Sequence, residues 1–445
     1  MKTVITYGTF DLFHEGHYNI LKRAKELGDY LIVGVTTEGY DNSRGKLNIV
    51  EPLEDRIEHV KECGFADKVI IEDHMGQKIE DIQKYHVDTF VIGSDWLGKF
   101  DYLKEYCDVV YLERTKGVSS SLKRIEEYQL IRMGIVGSGR IARRFVDEAR
   151  YVSGIHVEGV FNPHRESARK FAEEYELDFF EDDYEKFLEE VNAVYIASPH
   201  GTHYKYARTA LEHKRNVLLE KPMCLRKSDA EELFAIAREN GCIVMEAIKT
   251  AYAPGFVRLI GMAKSGIIGE IKDVEACFTK LTGDSMRELT DLEFGGSFTE
   301  LASYTILPII KLLGTNYKNI KFRCNKTKNG LDGYTKAYFD YDSAQATSKS
   351  GLKVKSEGEL VISGTSGYIK VKAPWWKTSE FEICYEDMSL NEKVYTQFKG
   401  DGLRYEISDF VSIVNGYGKK DYKLTREESV AIAEIMERFL RECRG

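Results

Sequence analysis

Two histidines early in the chain are spaced so that they could act on the same phosphate. His14 and His17 follow a β-rich segment and a glycine-containing turn, and they lie three positions apart. If a helix begins at this turn, both rings lie on one face, beside unpaired N–H groups and the positive end of the helix dipole, which favour phosphate. Imidazoles there could donate hydrogen bonds to a phosphoryl group as it gains negative charge. Two alternatives stay open, ordinary surface histidines and a zinc-binding pair, although no third ligand lies at a telling spacing.

A second segment, Arg114–Ser121, has the composition of another phosphate cradle. It lies directly after an apolar strand and before a helical pattern, and it offers a cation, a turn glycine and three serine hydroxyls. A serine run by itself is more often a helix cap or a loop. Two such segments in one parallel sheet together favour phosphate binding over that alternative.

A third segment, Gly137–Ala142, matches the fingerprint of dinucleotide-binding proteins. It has glycines at its first and third positions and a small residue at its sixth, and it follows a strand and opens a helix, as the fingerprint requires. The acidic residue that usually holds the ribose of NAD is replaced by Asn162, and Arg165 could pair with a 2′-phosphate. The segment therefore predicts NADP in preference to NAD, with a solvated loop cation as the alternative reading of Arg165.

The elements that must position these residues form a repeating pattern. Strands alternate with helical stretches of about 10–15 residues, which predicts a parallel sheet with crossover helices, first from Lys2–Tyr7 onward and again from Leu130–Val136 onward. After Lys249 the pattern changes to that of an α+β domain with a mostly antiparallel sheet, in which Gly364–Gly367 marks a hairpin. We therefore predict an α/β chain with two tandem Rossmann-like domains and an α+β domain, divided as 1–129, 130–250 and 251–445.

Composition excludes several other classes of protein. The chain has 445 residues with a net charge of −9, which argues against a nucleic-acid partner. No apolar run approaches the ~20 residues needed to cross a bilayer, and the first residues predict a short strand and not a signal peptide. The eight cysteines lie far apart without a Cys-x-x-Cys pair, so neither disulfides nor a zinc site is predicted. A soluble cytoplasmic protein is expected.

Residues 1–129 resemble the glycerol-3-phosphate cytidylyltransferases, members of the nucleotidyltransferase superfamily with a His-x-Gly-His signature. The resemblance rests on Gly8–His17, Gly93–Asp101 and Arg114–Ser121. It implies transfer of CMP from CTP to a substrate phosphate, with release of pyrophosphate and with magnesium carried by the CTP phosphates. Within the implied CTP site, His14, His17, Lys46 and Arg114 would be catalytic. The full set of implied CTP-binding residues is Thr9, Phe10, His14, His17, Lys46, Asp95, Arg114, Thr115, Ser119 and Ser120.

The sequence departs from that family at two positions, Ser94 and Gly64. Where the family usually has Gly-Asp-Asp-Trp, this chain has Ser94 in place of the first acid. Arg56 keeps one family arginine and is expected to contact the substrate, but a second arginine, about eight residues on, is replaced by Gly64. The acceptor is therefore expected to differ from glycerol 3-phosphate.

Residues from about 131 to 445 resemble the family of glucose-fructose oxidoreductase, inositol dehydrogenase and rhizopine-catabolism proteins (Gfo/Idh/MocA). Glu220-Lys221-Pro222 after an apolar strand carries the resemblance. It implies that Lys221 lies by the nicotinamide, that Tyr304 is the general acid or base, and that Glu300 replaces the usual aspartate at the substrate. Tyr304 could also be a core aromatic. The implied cofactor-binding residues are Gly137, Ser138, Gly139, Arg140, Ile141, Asn162, Arg165, Ser198, Pro199, His203, Glu220 and Lys221.

Together these observations predict a bifunctional enzyme. It would reduce a keto- or aldose-phosphate, or a related sugar, with NADP or NAD as cofactor and convert the product to a CDP-polyol, as a precursor of wall or capsule polymers. Two alternatives are an oxidoreductase with a CTP-binding regulatory domain and a cytidylyltransferase with a silent oxidoreductase-like domain. A homo-oligomer, dimer or tetramer, is expected, in which the third domain serves the substrate and oligomerisation. No membrane partner is expected.

Overall fold

The computed structural model describes residues 1–113, 130–416 and 423–444 of the chain. The chain forms two compact units, residues 1–191 and 192–445. The predicted cradle at Arg114–Ser121 lies outside the described residues. The division into three domains stays a prediction.

The first unit begins with a parallel α/β sheet. Its strands are β1 (Thr3–Gly8), β2 (Tyr30–Thr36), β3 (Lys68–Glu72), β4 (Thr89–Gly93) and β5 (Asp108–Leu112). The accompanying helices are α1 (Glu15–Lys25), α2 (Glu38–Arg44), α3 (Leu53–Glu62) and α4 (Gln77–Tyr85). All strand pairs are parallel, in the order β3-β2-β1-β4-β5.

Apolar cores on both faces of this sheet explain its sequence. Val4 of β1 packs into one core and its neighbour Ile5 packs into the other. Strands covered on both faces are apolar throughout and do not alternate with polar residues, which is why β2, with the sequence YLIVGVT, is a nearly continuous apolar run. Ligands of such sheets bind at the carboxyl ends of the strands, and His14 and His17 lie where β1 leads into α1.

The rest of the first unit repeats this architecture. It contains β6 (Ile131–Val136), β7 (Ile155–Phe161) and β8 (Phe179–Glu181), with α5 (Arg140–Ala149), α6 (Arg165–Tyr175) and α7 (Tyr184–Glu189). Strand β7 pairs in parallel with both β6 and β8. The Gly137–Gly139 turn joins β6 to α5, as the sequence predicted.

The second unit also begins with parallel strands. These are β9 (Ala193–Ile196), β10 (Asn216–Glu220) and β11 (Val244–Ala247), with α8 (His203–Glu212) and α9 (Lys227–Glu239). Strand β10 lies between β9 and β11. Lys221 therefore follows the carboxyl end of the central strand of the three.

A large sheet occupies most of the second unit. Its strands are β12 (Ile271–Thr279), β13 (Asn319–Lys326), β14 (Asp332–Asp340), β15 (Gln345–Gly351), β16 (Leu360–Gly364), β17 (Tyr368–Val371), β18 (Glu380–Cys384) and β19 (Glu392–Tyr395). The order is β13-β14-β15-β12-β16-β17-β18-β19, and β12–β15 is its one parallel pair among the described residues. The remaining helices are α10 (Lys249–Tyr252), α11 (Pro254–Lys264), α12 (Arg287–Thr290), α13 (Ser297–Leu313), α14 (Leu403–Val414) and α15 (Arg426–Arg444).

The predicted fold class is confirmed. Rossmann-like parallel α/β architecture occurs twice along the chain and is followed by an α+β region with a mostly antiparallel sheet. The predicted hairpin is present as well, because β16 and β17 pair antiparallel and the Gly364 N–H donates to the Gly367 carbonyl at 2.8 Å. Within residues 1–113, 130–416 and 423–444, no helix is long and apolar enough to cross a membrane.

Candidate active sites

The turn between β1 and α1 fixes the two histidines through its backbone. His14 is the N-cap of α1, and its Nδ1 accepts from the Gly16 N–H at 3.1 Å. The His14 N–H in turn donates to Nδ1 of His17 at 3.4 Å, and the two rings stack with centroids 3.9 Å apart. Because each Nδ1 accepts a hydrogen bond, the proton of each neutral ring is on Nε2. Both imidazoles thus have Nε2–H as their donor.

His17 stays neutral at physiological pH. Burial lowers the pKa of His17 to about 3, and the positive charge of Lys46 also lowers it. The edge of the His17 ring contacts Phe10, with centroids 5.4 Å apart. A neutral imidazole in this place can donate from Nε2 to a phosphoryl oxygen without first losing or gaining a proton.

Thr9 and Lys46 both form hydrogen bonds with one buried acid, Asp41. Thr9 Oγ1 donates to Asp41 Oδ1 at 3.3 Å, and the Lys46 N–H donates to the Asp41 carbonyl at 2.9 Å. Burial lowers the pKa of the Lys46 ammonium, while Asp41 and Asp11 oppose that shift. The structure thereby brings together Thr9, Phe10, His14, His17 and Lys46 of the predicted CTP-binding residues.

Other predicted residues of this site are placed differently. Arg56 has no solvent exposure, and its guanidinium donates to the carbonyls of Glu51, Thr9 and Thr36 at 3.0, 2.7 and 2.9 Å. These bonds give it a role in ordering the β1–α1 turn, and its contact with substrate stays a prediction. The predicted residues Arg114, Thr115, Ser119 and Ser120 lie outside the described part of the chain.

The β6–α5 turn has the backbone of a pyrophosphate cradle. Gly137 has φ 102°, a conformation that glycine adopts without strain. A Cβ at Gly139 would meet no atom within 4 Å, so there is open space beside the backbone. No side chain caps α5, whose first residues are Arg140 and Ile141, so its N–H groups can bind an anion. A dinucleotide therefore fits this turn.

Two side chains near the turn, Asn162 and Arg165, are the ones predicted to contact the ribose end of such a cofactor. Asn162 Nδ2 donates to Ser138 Oγ at 2.9 Å, and its Oδ1 accepts from the His164 N–H at 2.9 Å. Arg165 is 62% exposed and pairs with Asp182 at 2.8 Å. An exposed arginine paired with one acid can turn to a phosphate at small cost.

A second cluster lies in the unit formed by residues 192–445. Lys221 Nζ donates to the Glu300 carbonyl at 2.8 Å, lies 3.6 Å from Glu300 Oε1, and lies 5.7 Å from the centroid of the Tyr304 ring. Glu220, whose pKa is raised by burial, accepts from the Lys221 N–H at 3.1 Å and from the Tyr195 hydroxyl. The structure thus brings Lys221, Glu300 and Tyr304 together.

His200 belongs to this cluster, although it was not among the residues predicted from the sequence. Its Nε2 lies 3.5 Å from Glu300 Oε2, and burial, with Lys221 as a further cause, lowers its pKa well below the usual range. A histidine directly after β9 is the signal that could have indicated it. His203, which was predicted to bind the cofactor, has both ring nitrogens 2.9 Å from backbone carbonyls, those of Pro222 and Ser198. Pro199 is the N-cap of the short helical turn that begins at His200.

Comparisons with known proteins match two successive parts of the chain to two different families. Residues 5–134 match the family described as cytidylyltransferase-like, and residues 131–248 match the oxidoreductase family with an NAD-binding Rossmann fold. The chain is 54% identical over 121 residues to a glycerol-3-phosphate cytidylyltransferase of Bacillus spizizenii, an alignment covering 27% of this chain and 93% of that protein.

Relatives of the longer part are more distant. The chain is 27% identical over 318 residues to scyllo-inositol 2-dehydrogenase (NADP(+)) IolU of Bacillus subtilis, covering 69% of this chain and 95% of that protein. Among solved structures, it resembles KijD10, a 3-ketoreductase from Actinomadura kijaniata, with a TM-score of 0.61 and 21% identity over 71% of this chain and 98% of that one. The likeness to that structure concerns the fold.

Proposed function

Since this chain belongs to the cytidylyltransferase-like family through its N-terminal part and continues as an NAD(P)-dependent oxidoreductase, we propose that it makes a CDP-polyol in two steps. It reduces a keto- or aldose-phosphate to a polyol phosphate and transfers CMP from CTP to that phosphate. The observation that carries the proposal is that one chain holds both the His14–His17–Lys46 cluster and the Lys221–Glu300–Tyr304 cluster.

For CMP transfer, a phosphate oxygen of the polyol attacks the α-phosphorus of CTP in line, and pyrophosphate leaves with the electrons of the broken P–O bond. No covalent enzyme intermediate is needed, so catalysis depends on positioning and on neutralising charge. Nε2–H of His14 and of His17 would donate to phosphoryl oxygens, and Lys46 would offset their charge. Magnesium would arrive with the phosphates of CTP.

For reduction, the carbonyl oxygen becomes an alkoxide that must gain a proton. Bound NADPH would supply the hydride. Tyr304 would donate the proton, and Lys221 would hold the carbonyl oxygen in place. His200 and Glu300 would orient Lys221 and the substrate hydroxyls. The carboxylate of Glu300 lies 3.5 Å from Nε2 of His200 and 3.6 Å from Nζ of Lys221.

A coupled assay tests the whole proposal. The full chain is incubated with CTP, magnesium and NADPH across a panel of keto- and aldose-phosphates, and products are analysed by mass. We expect a CDP adduct two hydrogens heavier than the adduct of the unreduced sugar. NADPH oxidation without any CDP adduct would favour an oxidoreductase with a regulatory CTP site. CDP adducts formed only from added polyol phosphates would favour a silent oxidoreductase part.

The acceptor is expected to be larger than glycerol 3-phosphate. Gly64 follows α3 with φ 77°, a conformation that side chains rarely adopt, and it offers no cation to clamp a small acceptor. Losing one charge-assisted contact costs about tenfold or more in affinity. Measured kcat/KM for glycerol 3-phosphate should therefore be at least ~10-fold below that of the best longer polyol phosphate. Equal values across the panel would contradict this prediction.

Arg165 is expected to select NADPH. Arg165→Ala removes the candidate partner of the 2′-phosphate, and it leaves Asp182 to repel that group. We expect KM for NADPH to rise about tenfold or more, since hydrogen bonds to charged groups contribute on that scale, with KM for NADH little changed. The NADP specificity in the name of the Bacillus subtilis relative supports the same cofactor. A parallel rise for both cofactors would show that Arg165 does not read the 2′-phosphate.

We place the enzyme in the cytoplasm as a homo-oligomer, because CTP and the nicotinamide cofactor are cytoplasmic metabolites. Activated polyols are consumed by transferases that build surface polymers. The enzyme would thus supply wall or capsule precursors.

A further inference from the structure

Arg150, the C-cap of α5, contacts two separate segments of the proposed CTP site. Its carbonyl accepts from Lys46 Nζ at 3.0 Å. Its guanidinium donates to the Asp95 carbonyl at 2.8 Å and lies 3.5 Å from the Asp95 carboxylate. Lys46 and Asp95 are 49 positions apart in the chain, so Arg150 connects the loop after α2 with the turn after β4.

Neighbouring contacts hold these loops against the same segment. Leu47 forms a parallel bridge with Val152, made by the Leu47 N–H to the Tyr151 carbonyl at 2.8 Å and the Ser153 N–H to the Leu47 carbonyl at 2.9 Å. The rings of Trp96 and Tyr151 meet edge to face, with centroids 5.6 Å apart. The Lys46 loop thus has a fixed backbone anchor outside its own sheet.

Ser94 makes a further contact between the turn after β4 and the second half of residues 1–191. Its hydroxyl donates to Glu176, and the cytidylyltransferase family usually has an acid in place of this serine. An acid at position 94 would place a second carboxylate beside that of Glu176, and the two would repel each other. A serine in this position therefore allows the turn after β4 to pack against the oxidoreductase part of residues 1–191.

We propose that Arg150 is a positioning residue for CMP transfer, although it belongs to the oxidoreductase part of the chain. The inference rests on the proposed function. Arg150 touches no reacting atom; it limits the motion of Asp95 and orders its own carbonyl, which holds Lys46 beside His17. A misplacement of about 1 Å in such a group can cost ~10²-fold in rate, so ordering these two loops has a measurable effect.

The test compares Arg150→Met, Arg150→Lys and the control Arg169→Met in the full chain. Arg169 is a half-exposed arginine whose ion pairs, with Glu166 and Glu173, stay within its own helix. We expect Arg150→Met to lower kcat/KM for CTP about tenfold, mainly through a higher KM for CTP, because Arg150 holds two of the proposed CTP-binding residues. Arg150→Lys, which can still donate to the Asp95 carbonyl, should recover part of the loss. Carbonyl reduction and the melting temperature should stay at the wild-type values, as in Arg169→Met.

Two results would overturn the inference directly. Arg150→Met with wild-type CMP transfer would show that the contact is dispensable. Loss of both activities without rescue by lysine would show a structural role only. If the wild-type chain makes no CDP product, the proposed function fails, and CTP binding by calorimetry decides the inference separately. It stands if Arg150→Met binds CTP about tenfold more weakly than Arg169→Met, and it fails if they bind equally or if CTP does not bind.

Discussion

His14→Ala and His17→Ala are each expected to slow CMP transfer at least ~10²-fold, the usual effect of removing one donor aimed at transition-state charge. Each ring is fixed by a backbone N–H on its Nδ1, so its Nε2–H is oriented before the substrate arrives. Pyrophosphate release from CTP in the presence of a polyol phosphate measures the effect. The two substitutions act on one stacked pair, so the double variant should lose less than the product of the single losses.

The control for the histidine prediction is His74→Ala. His74 is an exposed histidine of the same sheet region and pairs with Asp73 and Glu80. It should leave CMP transfer unchanged, and all three variants should oxidise NADPH at the wild-type rate. Undiminished pyrophosphate release from the double variant would refute the assignment of His14 and His17.

Local sequence signals predicted most of the fold and the first site. The β1 run, the turn and the His14–His17 spacing are encoded within a short segment, so the helix start and the shared face could be predicted from it. The tautomers could not, because they depend on backbone donors whose directions follow from the turn geometry. Arg56 shows a similar limit. Its residue type indicated a substrate contact, whereas its buried bonds to three carbonyls depend on how three elements pack.

Fewer residues of the second site could be predicted from the sequence, because that site depends on contacts between distant segments. Lys221 and Tyr304 were predicted by resemblance, but nothing local indicates that Glu300 lies between Lys221 and His200. His203, three positions further on, was implied by the resemblance, whereas the place of His200 beside Glu300 depends on how distant segments pack. Arg150 gives no sequence signal of its role at all, since its partners lie 104 and 55 positions away.

The second large effect is expected for the reductase. Lys221→Ala and Tyr304→Phe should each slow carbonyl reduction by about 10²–10⁴-fold, the range for losing a general acid or its equivalent. Lys221 is held by the Glu300 carbonyl at 2.8 Å and lies 5.7 Å from the centre of the Tyr304 ring, so the two side chains are neighbours. Oxidation of NADPH with the best keto- or aldose-phosphate measures the effect, and CMP transfer should be unchanged.

Matched controls separate this effect from general damage to the unit. Lys393→Ala and Tyr395→Phe make the same chemical changes on β19, where both side chains are exposed, and both should retain full reductase activity. If Tyr304→Phe reduces substrate at the wild-type rate, the proton comes from another group. The neighbours able to supply it are then Lys221 and Glu300, with His200 as a relay. Comparing Glu300→Gln with His200→Asn would separate a role of Glu300 from that of His200, because the glutamine keeps the shape of Glu300 but cannot exchange a proton, whereas the asparagine removes the ring 3.5 Å from its carboxylate.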